Sequence, residues 1–339
     1  GRLVFGKRWN HMKEGGKALK QKTVSYRKYG YLFIAPFFLV YLIFSLWPLL
    51  NTFYYSLFEY TTRNLHTTIT FTGLQNYKNV LGLADGEKGY FLTYMGNTLR
   101  MWLCNFVPQM LLSMLAAVWL TNNRAKLRAR GFYKVVLYMP NIITAASISL
   151  LFCALLSKYG PIMSTLRSMG VVSQSTDIMM SKWGTSISIS LIQVWMWYGN
   201  TMLLLIAGII GISPSIYEAA ELDGANGRQQ FFSITLPLLK PVMLYVLVTS
   251  AIGGLQLFDI PALFNVGQGA GYMGGPNDTS TTVTMYIMRL HNTDTGRAAA
   301  VSVLLFLCTL VISLIFFAAL KNGDDSNGKV KKKGGRHHG

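Results

Sequence analysis

The sequence predicts an all-α integral membrane protein with six transmembrane helices, and three observations carry this. Of the 339 residues, 51 % are hydrophobic and 13 % charged, whereas a soluble domain carries about 25 % charged residues. The apolar residues gather into six runs, near 31–53, 96–120, 133–156, 186–212, 242–264 and 297–320. Each meets the roughly 20 residues that a helix needs to cross a bilayer. The third observation is where the basic residues fall. With both termini placed in the cytoplasm, the inner segments 1–30, 121–131, 214–241 and the tail after 320 hold 21 of the 31 Lys and Arg residues. The outer segments 54–93, 157–184 and 264–295 hold seven. That bias is the positive-inside pattern, and it orients the chain. The net charge of +18 then reads as topology signal and as contact with anionic lipid headgroups. No nucleic-acid partner is expected.

Residues 1–30 read as a basic, amphipathic cytoplasmic arm along the inner surface, ahead of a membrane domain over 31–320 and a basic tail over 321–339. The chain does not open on Met, which points to a trimmed or incomplete N-terminus. The first span lies too deep and runs too long for a cleaved signal peptide. Trp47, Tyr54, Tyr55 and Tyr60 close that span as an interfacial aromatic belt. The outer segment 61–93 is polar, with Gly73-Leu-Gln-Asn-Tyr77 as a small structured loop. A short basic turn, 122–131, joins spans two and three. Outside follow Gly160-Pro161 with a short amphipathic stretch over 162–169, and later a turn-rich loop over 265–281 broken at Gly275-Pro276. Cys104, Cys153 and Cys308 all fall inside spans, without metal-ligand spacing, and read as small packing residues. The five histidines likewise lack metal spacing.

Inside the spans the polar groups are mainly uncharged amides and hydroxyls among aromatic rings. Gln193, Trp197 and Asn200 stand at i, i+4 and i+7, which puts them on one face of span four. A ring packs against the apolar face of a sugar while amides bond its hydroxyls, so this set suits a neutral polyhydroxylated ligand. The same spacing also serves amides that bond across helices. Asp259 is a carboxylate within span five, near its outer end, and reads as a gate or interface group.

The connection over 214–241 differs from the other inner segments because it carries helix signals. Ser215 and Glu218 have capping-box spacing behind Pro214. Ile216-Tyr-Glu-Ala-Ala-Glu-Leu222 reads as a short helix and Gly224 as a turn. A second helical piece covers 228–235, and Pro237 and Pro241 break the chain before span five. A helix-turn-helix on the cytoplasmic face is what a docking surface needs. A plain loop with one helical turn has the same local signals.

The run Glu218-Ala219-Ala220-Glu221-Leu222-Asp223-Gly224-Ala225, followed by Phe231, Ile234, Leu236-Pro237 and Pro241, resembles the EAA loop of ATP-binding-cassette importer permeases. Gly73-Leu-Gln-Asn-Tyr77, Leu137-Tyr-Met-Pro140, Gly274-Gly-Pro276 with the run Thr279 to Thr282, and Gly296-Arg-Ala-Ala-Ala300 are similar to the carbohydrate-uptake branch, the maltose permease family. The resemblance covers residues 30 to 320 and says nothing of the arm or tail. It implies a type I importer permease fold in the bacterial cytoplasmic membrane. It also implies two ATP-binding subunits, a second homologous permease and an extracellular solute-binding protein as partners, with a sugar as cargo.

On that resemblance, 218–225 form the coupling helix that sits in a cleft of the ATPase. Glu218 would steady the helix start, Ala219, Ala220 and Ala225 would allow close approach, Gly224 would turn the chain, and Glu221 and Asp223 would meet basic groups of the partner. Gln193, Trp197 and Asn200 fall at sugar-contact positions of the maltose permease, as do Asn141, Ser250 and Leu257. Gln193 and Asn141 keep similar polar chemistry there. Trp197 and Asn200 depart, which points to a sugar other than maltose. In such complexes one permease of the pair can hold the whole site.

No Gly-x-x-x-x-Gly-Lys-Ser/Thr loop occurs, so ATP and Mg are expected on the partner and no catalytic, cofactor or metal residues on this chain. Gly269-Ala-Gly-Tyr-Met-Gly274 satisfies Gly-x-Gly-x-x-Gly but lies in an outer loop without strand and helix around it. Two alternatives make different demands. A self-sufficient secondary transporter predicts paired intramembrane charges or an inverted repeat, and neither stands out. A permease of the same type for another neutral solute, or for a glycerophosphodiester, is the second. The diester would call for basic residues facing the pathway, which the sequence lacks.

Overall fold

The computed structural model describes residues 27–63, 66–84, 86, 88–122, 128–267, 274 and 278–333, with side chains among these except at 27–28, 61–67 and 319–333. Most of the basic arm, residues 268–273 and 275–277 of the outer loop, and the end of the tail lie outside the described residues. Among the described residues, six helical segments are long and apolar enough to cross a membrane: Tyr29–Tyr55, Phe91–Thr121, Ala145–Ser168, Lys182–Ile210, Lys240–Val266 and Thr295–Ala318. The chain forms two compact units, residues 1–51 and 52–339.

Span one consists of α1 (Arg27–Tyr41), a π-helical turn (Leu42–Leu46) and α2 (Trp47–Tyr55). The turn has a local cause. Pro48 lacks an N–H and its ring crowds the carbonyl four residues back, so the ladder widens just before it and the Trp47 N–H bonds the Leu42 carbonyl instead. The same device recurs before Pro237, where the Leu236 N–H bonds the Phe231 carbonyl.

Beyond span one the polar outer segment is more ordered than composition suggests. Strands β1 (Phe58–Arg63) and β2 (His66–Phe71) pair as an antiparallel hairpin, with Phe58 opposite Phe71 and Tyr60 opposite Ile69. Tyr60 therefore belongs to a strand, and it meets the expected belt through Tyr55, their centroids 5.7 Å apart. The Gly73-Leu-Gln-Asn-Tyr77 loop clamps this hairpin. Gly73 has φ +58°, and α3 (Gln75–Leu81) follows. Asn76 Nδ2 donates to the carbonyls of Ser56 (3.0 Å) and Phe58 (2.9 Å), and Tyr77 Oη to Ser56 Oγ at 2.7 Å.

The scaffold of the second unit is the pair α4 (Phe91–Thr121) and α8 (Lys182–Ile210). Hydroxyls and amides tie them, as expected where lipid removes the hydrophobic drive between helices. Ser190 Oγ donates to the Met101 carbonyl (3.0 Å), Ser113 Oγ to the Tyr198 carbonyl (2.7 Å) and Gln109 Nε2 to Thr201 Oγ1 (2.9 Å). Buried Ala117, Leu120, Met202, Leu205 and Ile206 fill one end of the pair. Met101, Ile148, Ile189, Ile192 and Phe264 form a second cluster.

Two predicted spans are broken. The run 133–156 is not one helix but α5 (Arg130–Tyr138), a 3-10 turn (Met139–Ile142) and α6 (Ala145–Leu156). Pro140, which lacks an N–H, stands in the 3-10 turn, the backbone turns extended at Ile143 (φ −76°, ψ 141°), and Thr144 restarts the helix by accepting the Ser147 N–H at 3.3 Å. After a turn over 157–160 comes α7 (Pro161–Ser168), the expected amphipathic stretch. The run 242–264 is likewise two helices. α12 (Lys240–Leu255) stops, 256–258 is non-helical, and Asp259 opens α13 (Asp259–Gly267). Two further helices, α14 (Val283–His291) and α15 (Thr295–Lys333), follow the outer loop.

Gly199 lets the broken third span approach α8. A Cβ there would stand 2.8 Å from Tyr138 Cα and 3.2 Å from the Leu137 carbonyl carbon. Both obstacles are backbone, which cannot swing aside. Gly199→Val is therefore expected to destabilise the fold by more than about 3 kcal/mol, the upper end for overpacking. Thermal unfolding in detergent checks this, and an unchanged transition would contradict the close approach.

Candidate functional site

The break in span five opens onto a cavity of about 400 Å³ between α4, α6, α8, α12 and α13. That volume lies in the range of about 300–1,000 Å³ usual for small-molecule sites. Irregular backbone at membrane depth is tolerated where it lines a cavity, because its freed N–H and C=O groups need partners other than lipid. The wall is polar without being basic. Gln193, Trp197 and Asn200 enter from α8, Ser250 from α12, Leu257 from the break and Asp259 from the start of α13. Five of the six residues expected to contact a ligand are thus brought together. The sixth, Asn141, is not among the lining residues. It spends its amide on the Met196 carbonyl at 3.3 Å, bracing the 3-10 turn against α8.

Two buried amide atoms in this cavity lack partners. Gln193 is 2 % exposed and its Nε2 bonds nothing, and Asn105, 6 % exposed, has an unpaired Oδ1. A buried polar atom left alone costs about 1–3 kcal/mol, so two residues lining the same cavity hold one unsatisfied donor and one unsatisfied acceptor. Trp197 is 46 % exposed beside them, its ring available for stacking. Asp259 lines the same cavity, and among the described residues it makes no ion pair or hydrogen bond.

The second candidate element is the connection 214–241. Helix α9 (Pro214–Leu222) starts earlier than expected. Its N-cap is Ser213 with Pro214 at the first turn, Ser215 caps nothing, and Glu218 lies past the first turn. The capping box sits instead at α10 (Gly227–Gln230), where Asn226 Oδ1 accepts the Gln229 N–H (2.9 Å) and Gln229 Oε1 the Asn226 N–H (2.8 Å). The piece expected over 228–235 is α10 followed by a π-helical turn, Phe231–Thr235. Pro237 and Pro241 follow interruptions of the helix, the π turn and a turn at Leu239. Each occupies the opening turn of a new helix, α11 (Leu236–Leu238) and α12, where a missing N–H costs nothing.

The end of α9 explains the spacing of its small residues. Gly224 has φ +78°. Its N–H bonds the Glu221 carbonyl at 3.0 Å, while the Ala225 N–H reaches back to the Ala220 carbonyl at 2.8 Å. That pair of bonds is a Schellman stop, with Ala220 and Ala225 at the two positions whose side chains meet across it. Tyr217, Glu218 and Glu221 face a hollow of about 720 Å³ bounded also by Leu120, Ile209 and Phe231. Tyr217 Oη bonds Thr235 Oγ1 at 2.9 Å, tying α9 to the π turn. Leu222 projects away, 90 % exposed.

Residues 109–324 match the family described as binding-protein-dependent transport system inner membrane component. The chain belongs to that family. The permease is 30 % identical to a lactose transport system permease protein of Rhizobium radiobacter, over 86 % of this chain and 94 % of that one. It is 30 % identical to a trehalose/maltose transport system permease protein of Thermococcus litoralis, covering 85 % and 92 %. With an arabinooligosaccharides transport system permease protein of Halalkalibacterium halodurans it shares 28 %, covering 87 % and 89 %. In fold it matches a chain of a solved bacterial ABC transporter involved in alginate import, at a TM-score of 0.69 and 19 % identity over 93 % of this chain and 99 % of that one. The permease is therefore a multi-pass membrane protein with the six-span ABC importer fold.

Sequence reasoning overlooked part of this permease's cavity. Asn105 and Gln109 of α4, Thr201 of α8, Thr249 of α12 and Gln256 of the break also line it. Asn105 and Gln109 are spaced i, i+4, the same signal that singled out Gln193 and Trp197.

Proposed function

We propose that the permease carries a sugar or oligosaccharide across the bacterial cytoplasmic membrane, with both its termini inside. The cargo is handed over by an extracellular solute-binding protein, and ATP is bound with Mg and hydrolysed by two partner subunits. A second, homologous permease completes the pathway. The observation that carries this reading is the cavity, where Gln193, Trp197, Asn200, Ser250 and Leu257 meet beside two orphaned amide atoms. Hydroxyls of a sugar supply both donors and acceptors, so one ligand class satisfies Asn105 Oδ1 and Gln193 Nε2 together. Names of the relatives, which transport lactose, arabinooligosaccharides and trehalose or maltose, support the same class.

The ATPase side falls to α9. Glu218, Ala219, Ala220, Glu221, Asp223, Gly224 and Ala225 are the proposed coupling segment. The small residues keep its outer surface low, and exposed Leu222 offers an apolar knob to a partner cleft. Docked there, a short rigid helix passes the closure of the ATPase pair to α8 and α12, between which it is strung.

Gln193→Leu keeps the volume of the side chain and removes its donor. Uptake of the cognate sugar by the reconstituted complex is expected to fall about 10- to 100-fold, as for loss of a buried hydrogen bond worth about 1.4–3 kcal/mol. Basal ATP hydrolysis should stay unchanged. Full uptake by this variant would remove the cavity from the reading.

A further inference from the structure

The charge of the cavity wall is one-sided. Among the described residues lining it, Asp259 is ionisable, and no Lys, Arg or His joins it. Asp259 is exposed toward that space and makes no ion pair or hydrogen bond among the described residues. Its position adds to the effect. It opens α13, whose positive helix end favours a carboxylate there. A carboxylate held in a membrane span without a partner is costly and calls for a use.

We propose that Asp259 makes the cavity a charge filter, admitting neutral saccharides and amino sugars and refusing those that carry a carboxylate, sulfate or phosphate. This rests on the reading of the cavity as the sugar site. The chemistry follows from what surrounds the ligand. The amides of Asn105, Gln193 and Asn200 donate and accept alike, so they do not discriminate by charge. A carboxylate does, because it accepts from hydroxyls and ammonium groups and repels anions. With no cation in the wall, an anionic sugar meets this repulsion uncompensated in a setting less polar than water, where like charges interact more strongly. The same balance argues against a glycerophosphodiester as cargo.

The test is equilibrium binding to the assembled transporter in lipid nanodiscs. The probes are a radiolabelled neutral trisaccharide and its counterparts in which one ring is a uronic acid or an amino sugar. The wild type is expected to bind the neutral probe at least tenfold more tightly than the uronate. In Asp259→Asn that ratio should shrink about five- to tenfold, and the amino sugar should lose affinity. Asp259→Glu, which keeps the charge, should keep the ratio. A ratio unchanged in Asp259→Asn overturns the filter. Gln193→Leu separates the two levels: if it abolishes neutral binding while Asp259→Asn leaves the ratio alone, the site stands and only the filter falls. If Gln193→Leu binds the neutral probe normally, the site itself is elsewhere.

Discussion

Replacing Gly224 by valine is expected to cut substrate-stimulated ATP hydrolysis at least tenfold while the protein still inserts and purifies at wild-type yield. The expectation follows from where the strain falls. Gly224 holds φ +78°, a region that costs an L residue about 1–2 kcal/mol and a β-branched one more. The two bonds of the Schellman stop, Gly224 N–H to Glu221 and Ala225 N–H to Ala220, exist only in that conformation, and each contributes about 0.5–1.5 kcal/mol. The sum, roughly 2–5 kcal/mol, is small for the membrane domain and large for α9. A nine-residue helix is marginal alone, and this one lacks a side-chain N-cap bond. Its C-terminal stop therefore fixes the length and direction of the segment proposed to dock. Gly224→Asn gives the control, since Asn visits the left-handed region at lower cost, and most stimulation should return. Equal loss in Asn and Val variants would argue for crowding at the docking face. Full stimulation in Gly224→Val would remove the rigid-helix account of coupling.

The parts legible in the sequence are those where local chemistry decides. Six apolar runs predict six spans because length and solvent preference settle the matter. Gly224 after Ile216–Leu222 predicts a turn because only glycine meets the left-handed φ cheaply. The face formed by Gln193, Trp197 and Asn200 is legible from helical period, and those three side chains do converge on one cavity.

The parts not legible depend on neighbours. Leu255, Leu257 and Phe258 are as apolar as any helical residue, so hydropathy runs straight through the break at 256–258. Gln256, Leu257 and Phe258 all line the cavity, where irregular backbone is tolerated at membrane depth. Asn105 and Gln109 look like helix glue from α4 alone, and Gln109 does bond Thr201 across to α8. Only the packing of α4 on α8 shows that Asn105 keeps an unpaired oxygen. The hairpin Phe58–Phe71 escapes notice for a similar reason. Its two six-residue strands gain their hold from Asn76 and Tyr77, which come later in the chain.

Arg100→Leu is expected to lower the unfolding temperature in detergent and to release the loop around residues 278–282 from protection against hydrogen exchange. This loop is not a surface excursion. Ser280, Thr281 and Thr282 are fully buried, and side chains of α4 hold them there. Asn97 Nδ2 donates to the carbonyls of Asp278 (3.0 Å) and Thr281 (3.2 Å). Arg100 donates through one terminal nitrogen to the Thr279 carbonyl (2.9 Å) and to Asn97 Oδ1 (3.1 Å), and through Nε to Ser186 Oγ (2.9 Å). Thr98 Oγ1 accepts the Val283 N–H at 3.1 Å, and Ser280 Oγ donates to Asn265 Oδ1 at 2.9 Å. The guanidinium thus joins α4, α8 and the loop, and its plane also faces Trp183 at 5.6 Å. Leucine keeps the stem and removes the fork. Buried acceptors that lose a charged donor cost about 1–3 kcal/mol each, so a loss of about 2–5 kcal/mol is expected after partial rehydration. Arg100→Lys should recover only part of it, because an ammonium cannot reach three acceptors in the fork's geometry. Asp278 makes the loop sensitive to this loss, since it sits at φ +55°, a conformation a non-glycine residue keeps only while its surroundings enforce it. Faster exchange confined to 278–283 with the spans unaffected is the expected pattern. Unchanged exchange in Arg100→Leu would mean that Asn97 and Thr98 hold the loop without it.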